Sequence, residues 1–85
     1  MTDHDPLPVA GYTKQTDANV GLVNENKHIE ERLLRRIDAL ASTGGAVDGR
    51  WLAIAKTHFE EGFMALNRAV FKPKRIDLPG DDAAA

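Results

Sequence analysis

Two long stretches without proline, each opened by a capping residue and closed by a breaker, leave this chain little choice but a pair of helices. The first begins near Ala18, behind Thr16 and Asp17, either of which can cap it. It runs to Ser42 with Gly21 as its one glycine. Ser42-Thr43-Gly44-Gly45 then supplies residues suited to a helix end. Asp48 caps the second helix, which passes through Trp51 to about Phe71. Lys72, Lys74 and Arg75 place cations where the helix macrodipole favours them, and Pro73 stops the helix. Pro6, Pro8 and Gly11 make residues 1–12 an irregular or short-helical arm. The tail over 74–85 ends in Leu78-Pro79-Gly80-Asp81-Asp82 and three alanines, and reads as flexible. The expectation is an all-α chain with an antiparallel helical hairpin over 13–73, its helices at about 17–42 and 48–71.

A lone hairpin does not account for the apolar pattern. At 100° per residue, Leu22, Ile29, Leu33, Ile37 and Leu40 form one seam on the first helix, extended by Val23, Leu34 and Ala41. Asn26 and Glu30 fall inside that apolar sector. On the second helix Trp51, Ala55, Gly62, Ala65, Leu66 and Ala69 make a central stripe, flanked by Leu52, Phe59, Phe63 and Val70. Ala53, Met64 and Phe71 cluster on roughly the opposite side. A helix apolar on more than one face is expected to be surrounded, and one partner helix cannot surround it. The chain has 85 residues and no cysteine, so disulfides and zinc–thiolate staples are absent. Self-association is the remaining way to complete so small a core.

Several function classes fall away on composition. The net charge of −2 gives no global basic field for duplex nucleic acid. The short basic runs, Arg32, Arg35 and Arg36 and then Lys72-Pro73-Lys74-Arg75, read as solvated helix surface, so no DNA partner is expected. The opening Met1-Thr2-Asp3-His4-Asp5 is acidic where a secretory signal would be basic, and no run approaches the roughly 18 apolar residues of a membrane span. A soluble, intracellular protein is expected.

Catalytic readings are poorly supplied. Nucleophilic catalysis needs Ser, Cys or Thr beside an oriented base; there is no cysteine, and the single serine, Ser42, sits in the turn. Glu25-Asn26-Lys27-His28 has the E-x-x-H spacing of carboxylate-bridged metal bundles, but His58 has Ala55 three positions earlier and the second half-site is missing. The two H-x-E-E strings, at His28 and His58, are better read as solvated charges. No enzyme, metal or cofactor is expected. A small anionic ligand is a different matter, because cations and an aromatic ring on helices can hold phosphate and stack a base. Tyr12, Lys27 and Arg68 are such groups. Each also has a plain explanation, as arm packing, as a snorkelling stem or as an ion pair.

The string itself narrows these alternatives. Gly11-Tyr12-Thr13, then Leu22-Val23-Asn24-Glu25-Asn26-Lys27, then Asp48 through Pro73 closely resemble the phage anti-CBASS nucleotide-sponge family, which shares a helical-hairpin domain with an anti-Thoeris sponge. The stretch from Arg50 to Arg68 is the specific part. The resemblance implies a compact homohexamer of hairpins. It implies binding of cyclic dinucleotides, such as 3′,3′-cyclic GMP-AMP, between paired subunits without cleavage, so that host CBASS effectors stay off. In some relatives a separate subunit junction takes cyclic trinucleotides. It assigns Tyr12 and Lys27 to the dinucleotide pocket and Arg68 to the trinucleotide junction, and it places the protein in the cytoplasm of an infected bacterium. Thr13 stands where many relatives carry arginine, so the ligands are not ranked. An isologous dimer would supply each of these groups twice, matching a ligand with two phosphates and two base faces. The alternative is a helical oligomeric scaffold or protein-interaction module without a nucleotide ligand.

Overall fold

A computed structural model describes residues 3, 4 and 8–81. Two helices dominate it, α1 over Asp17–Ala41 and α2 over Gly49–Phe71, packed against each other as a hairpin. Their starts follow from local capping. Thr16 is extended (φ −84°, ψ 161°), and its Oγ1 accepts from the Asn19 N–H at 3.1 Å. Asp48 Oδ1 accepts from the Trp51 N–H at 3.0 Å. The first helix ends as Ser42 and Thr43 turn their hydroxyls onto the carbonyls of Asp38 and Leu40, at 3.0 and 2.7 Å. The second ends at Lys72, left-handed at φ 49°, whose N–H donates to the Arg68 carbonyl at 2.8 Å.

The arm is more ordered than its sequence suggests. β1, Asp3–His4, pairs antiparallel with β2, Gln15–Thr16, with Asp3 opposite Thr16 and His4 opposite Gln15. Extended backbone is what an N-cap requires, so the entrance to α1 offers ladder groups that a returning strand can use. His4 Nε2 lies 2.6 Å from Asp17 Oδ1 beside it. At the other end, residues 72–78 carry no regular structure and a turn joins Leu78 to Asp81, with the Leu78 N–H donating to Asp81 Oδ2 at 2.7 Å. Residues 82–85 and Pro6, parts of the expected tail and arm, lie outside the described residues.

Packing within one chain is thin. Among the described residues only Val23 (5% exposed) and Ile37 (6%) are buried. Leu33, Leu34 and Leu40 are half-buried, but Leu22 and Ile29, expected in the seam, are exposed. The reason is angular. Leu22 lies about 100° around the helix from Val23, and α2 covers the Val23–Ile37 side of the apolar arc. The polar intruders Asn26 and Glu30 share that covered side and are half-buried. On α2 the half-buried Leu52, Phe63 and Val70 share one angle around the axis, while Trp51, Phe59 and Leu66 are exposed. Met64 is exposed as well, at 71%.

The dimensions agree. The molecule measures 61 × 35 × 17 Å with a radius of gyration of 18.6 Å. A compact domain of this length would have a radius of about 12 Å. Its accessible surface is 6943 Å², against about 5,000 Å² for a compact protein of this mass.

Candidate functional site

Where the arm crosses the end of α2, side chains and backbone interlock. Helices leave their last carbonyls unpaired, and here the Phe71 carbonyl is taken by the arm. Thr13 Oγ1 and Gln15 Nε2 both donate to it at 2.8 Å. Gln15 Nε2 also lies 3.1 Å from the Thr13 carbonyl and 2.9 Å from Thr13 Oγ1, and its Oε1 accepts from Asn19 Nδ2 at 3.3 Å. One amide therefore ties the arm, the start of α1 and the end of α2 together.

A second fastening lies just before Tyr12. The Lys74 N–H donates to the Gly11 carbonyl at 2.6 Å. Gly11 adopts φ +92°, and a Cβ there would stand 2.5 Å from the Lys74 carbonyl oxygen and 3.3 Å from Ile76 Cγ2. Only glycine fits, because the conformation and the close approach both exclude a side chain. The Tyr12 N–H closes a turn on the Val9 carbonyl at 3.3 Å.

Between these fastenings lies a cleft of about 340 Å³, lined by Ala10, Gly11, Tyr12, Thr13, Gln15, Asn67, Arg68, Phe71, Pro73 and Lys74. Its charged members are both cations, and no Asp or Glu lines it, in a chain whose net charge is negative. Tyr12 is 52% exposed at the rim. The cleft can therefore offer an aromatic face, amide donors and acceptors, and positive charge to one small ligand.

Two of the three residues singled out in the sequence, Tyr12 and Arg68, meet here. Lys27 is exposed on α1 and does not line the cleft. It lies at the same height, since its neighbour Asn26 donates to Asn67 Oδ1 at 3.0 Å and Asn67 is part of the lining. Glu25, His28 and His58 are exposed, and among the described residues no three His, Asp or Glu side chains gather as a metal site. The pattern missed Thr13, Gln15, Asn67 and Lys74. Of these, Lys74 belongs to a basic run that reads as solvated surface, Thr13 is marked only as a position where many relatives carry arginine, and Gln15 and Asn67 carry no local signal. Phe71, on the face roughly opposite the α2 stripe, is half-buried beside the arm.

The fold and the cleft define a class: an all-helical hairpin with an aromatic, cationic site where its arm meets the end of the second helix. Among the described residues no helix is long and apolar enough to cross a membrane. A family model described as the Acb2/Tad1 hairpin domain matches residues 5–71, and the chain belongs to that family, the anti-CBASS and anti-Thoeris sponges. Comparisons with curated proteins and with solved structures give no match. Membership in this family points to sponge-type binding of cyclic nucleotides.

Proposed function

We propose that this protein sequesters cyclic oligonucleotide messengers, cyclic dinucleotides such as 3′,3′-cyclic GMP-AMP first among them, without cleaving them. The cleft carries the reading: Tyr12, exposed at its rim, stands beside cations without a carboxylate among the lining residues, in a chain of the sponge family. Stacking suits an aromatic face, and phosphate suits Arg and Lys. At about 340 Å³ the cleft is at the small end of ligand pockets, which run from about 300 to 1,000 Å³. A second copy would enlarge it and bring its own Tyr12 and Lys27, one ring per base and one ammonium per phosphate. Arg68 lines this same cleft, and it is also the candidate for cyclic trinucleotides where the assembly forms a separate junction. Capture of the messenger would keep CBASS effectors silent in the cytoplasm of an infected bacterium.

Self-association is part of the same proposal, with a hexamer as the expected assembly. The exposed stripe on α2 includes Trp51 (62% exposed), Phe59 and Leu66, and a Cβ on Gly62 would meet nothing within 4 Å. An interior glycine costs about 1 kcal/mol relative to alanine. Among the described residues nothing packs over Gly62 to offset that cost, whereas a neighbouring helix packed closely there would.

The decisive experiment is calorimetric titration with 3′,3′-cyclic GMP-AMP, followed by proteolysis and recovery of the ligand. Intact ligand supports sequestration, and a cleaved product would make the protein an enzyme. No binding would leave the scaffold reading, which the apolar stripe on α2 also fits. Tyr12→Ala and Lys27→Ala should each abolish dinucleotide binding with the oligomer preserved in native mass spectra.

A further inference from the structure

We infer that Lys74, in the segment after α2, is a phosphate-binding residue of the Tyr12 cleft. The inference rests on the sequestration reading and extends the site beyond the hairpin. Lys74 is stapled beside Tyr12 on two sides. Its N–H donates to the Gly11 carbonyl at 2.6 Å, and its own carbonyl packs where a Cβ on Gly11 would stand. The backbone is thus fixed at the cleft, which Lys74 lines with Arg68, and the residue is exposed. Among the described residues neither cation has an ion-pair partner, and none of the residues lining the cleft is acidic.

Two uncompensated cations at one cleft favour an anion, and an adjacent aromatic ring favours one that carries a base. Arg68 sits on the last turn of α2 and Lys74 beyond its end, so the two approach the cleft from different backbone segments. A ligand phosphate between them would bridge the helix and the segment that follows it. Arg75, the next residue, is also exposed but does not line the cleft, which makes it a matched control.

The test titrates 3′,3′-cyclic GMP-AMP into wild type, Lys74→Ala, Lys74→Arg and Arg75→Ala, at low and moderate salt. Lys74→Ala should weaken binding about tenfold and flatten its salt dependence, one lost charge-assisted contact being of that order. Lys74→Arg should stay within about threefold of wild type and Arg75→Ala should be unchanged, because only the cleft-lining cation is at stake. Equal weakening by Lys74→Ala and Arg75→Ala would reduce the effect to diffuse charge and overturn the assignment. A second probe separates the two claims: 5′-AMP titrated into labelled protein, read at the Tyr12 and Lys74 amides. If the dinucleotide does not bind but AMP shifts those amides in wild type and not in Lys74→Ala, the sponge reading fails and the phosphate site stands. No shift with either ligand would sink both.

Discussion

Asn26 donates through Nδ2 to Asn67 Oδ1 at 3.0 Å across the hairpin, a polar pair set within the covered side of α1's apolar arc. A half-buried amide pair on such a seam fixes which turns of the two helices face each other, since sliding either helix would leave both amides unmatched. Asn67 also lines the cleft and precedes Arg68, so the pair sets the height at which α1 meets the site. A double-mutant cycle with Asn26→Ala and Asn67→Ala should give a coupling of about 0.5–1.5 kcal/mol. Urea unfolding at one fixed protein concentration measures it, because an assembling protein's stability depends on concentration. A coupling near zero would show that the pair is not formed in solution.

Gly11 is the position where the least chemical change should do the most damage to the site. Alanine there must adopt φ near +92° and place its methyl 2.5 Å from the Lys74 carbonyl oxygen. Such backbone strain costs about 1–3 kcal/mol, and the cheaper course is for the arm to lift off. Gly11→Ala should therefore keep the helical circular dichroism of the hairpin while cyclic GMP-AMP affinity falls at least tenfold. Retained affinity would mean that Tyr12 does not need the clasp.

The elements that could be read from the sequence are those determined locally. Thr16 and Asp48 cap their helices through bonds to residues three positions on, and Pro73 and the Gly44-Gly45 pair mark ends that neighbouring residues enforce. What could not be read depends on angle or on distant contact. A helical wheel shows that Leu22 and Val23 belong to one broad apolar arc, but not that α2 would cover Val23 and leave Leu22 exposed. The cleft is further out of reach. Gln15 meets the Phe71 carbonyl across 56 positions and Thr13 meets it across 58, and a glutamine before a helix carries no mark of such a role.

The apolar stripe on α2 yields a prediction about assembly. Leu66→Asp puts a carboxylate on an exposed surface in the single chain, where surface substitutions usually change stability by no more than about 0.5 kcal/mol. If copies pack over that stripe, the same change buries an unpaired charge at each junction. Light scattering after size exclusion should then show a smaller species, with thermal stability falling sharply because the two buried apolar residues among those described, Val23 and Ile37, make too small a core. An unchanged mass and melting temperature would place the subunit contact elsewhere.

Gln15 offers the cleanest separation of site from scaffold, because glutamate has nearly its shape and none of its donors. Gln15→Glu keeps an oxygen to accept from Asn19 but turns the other toward the Phe71 and Thr13 carbonyls, 2.8 and 3.1 Å from the present Nε2. Attraction becomes repulsion between acceptors, and two buried-side carbonyls lose a donor. The hairpin seam is untouched, since Val23, Ile37 and the Asn26–Asn67 pair lie elsewhere on α1 and α2. Hydrogen exchange should therefore quicken at the amides of Tyr12 and Lys74, whose acceptors belong to the arm, while mid-helix amides keep their protection. Affinity for cyclic GMP-AMP should fall about tenfold or more in the same variant, one lost strong contact being of that order. Uniformly faster exchange along both helices would instead make Gln15 a residue of the fold as a whole, and the arm no separate unit.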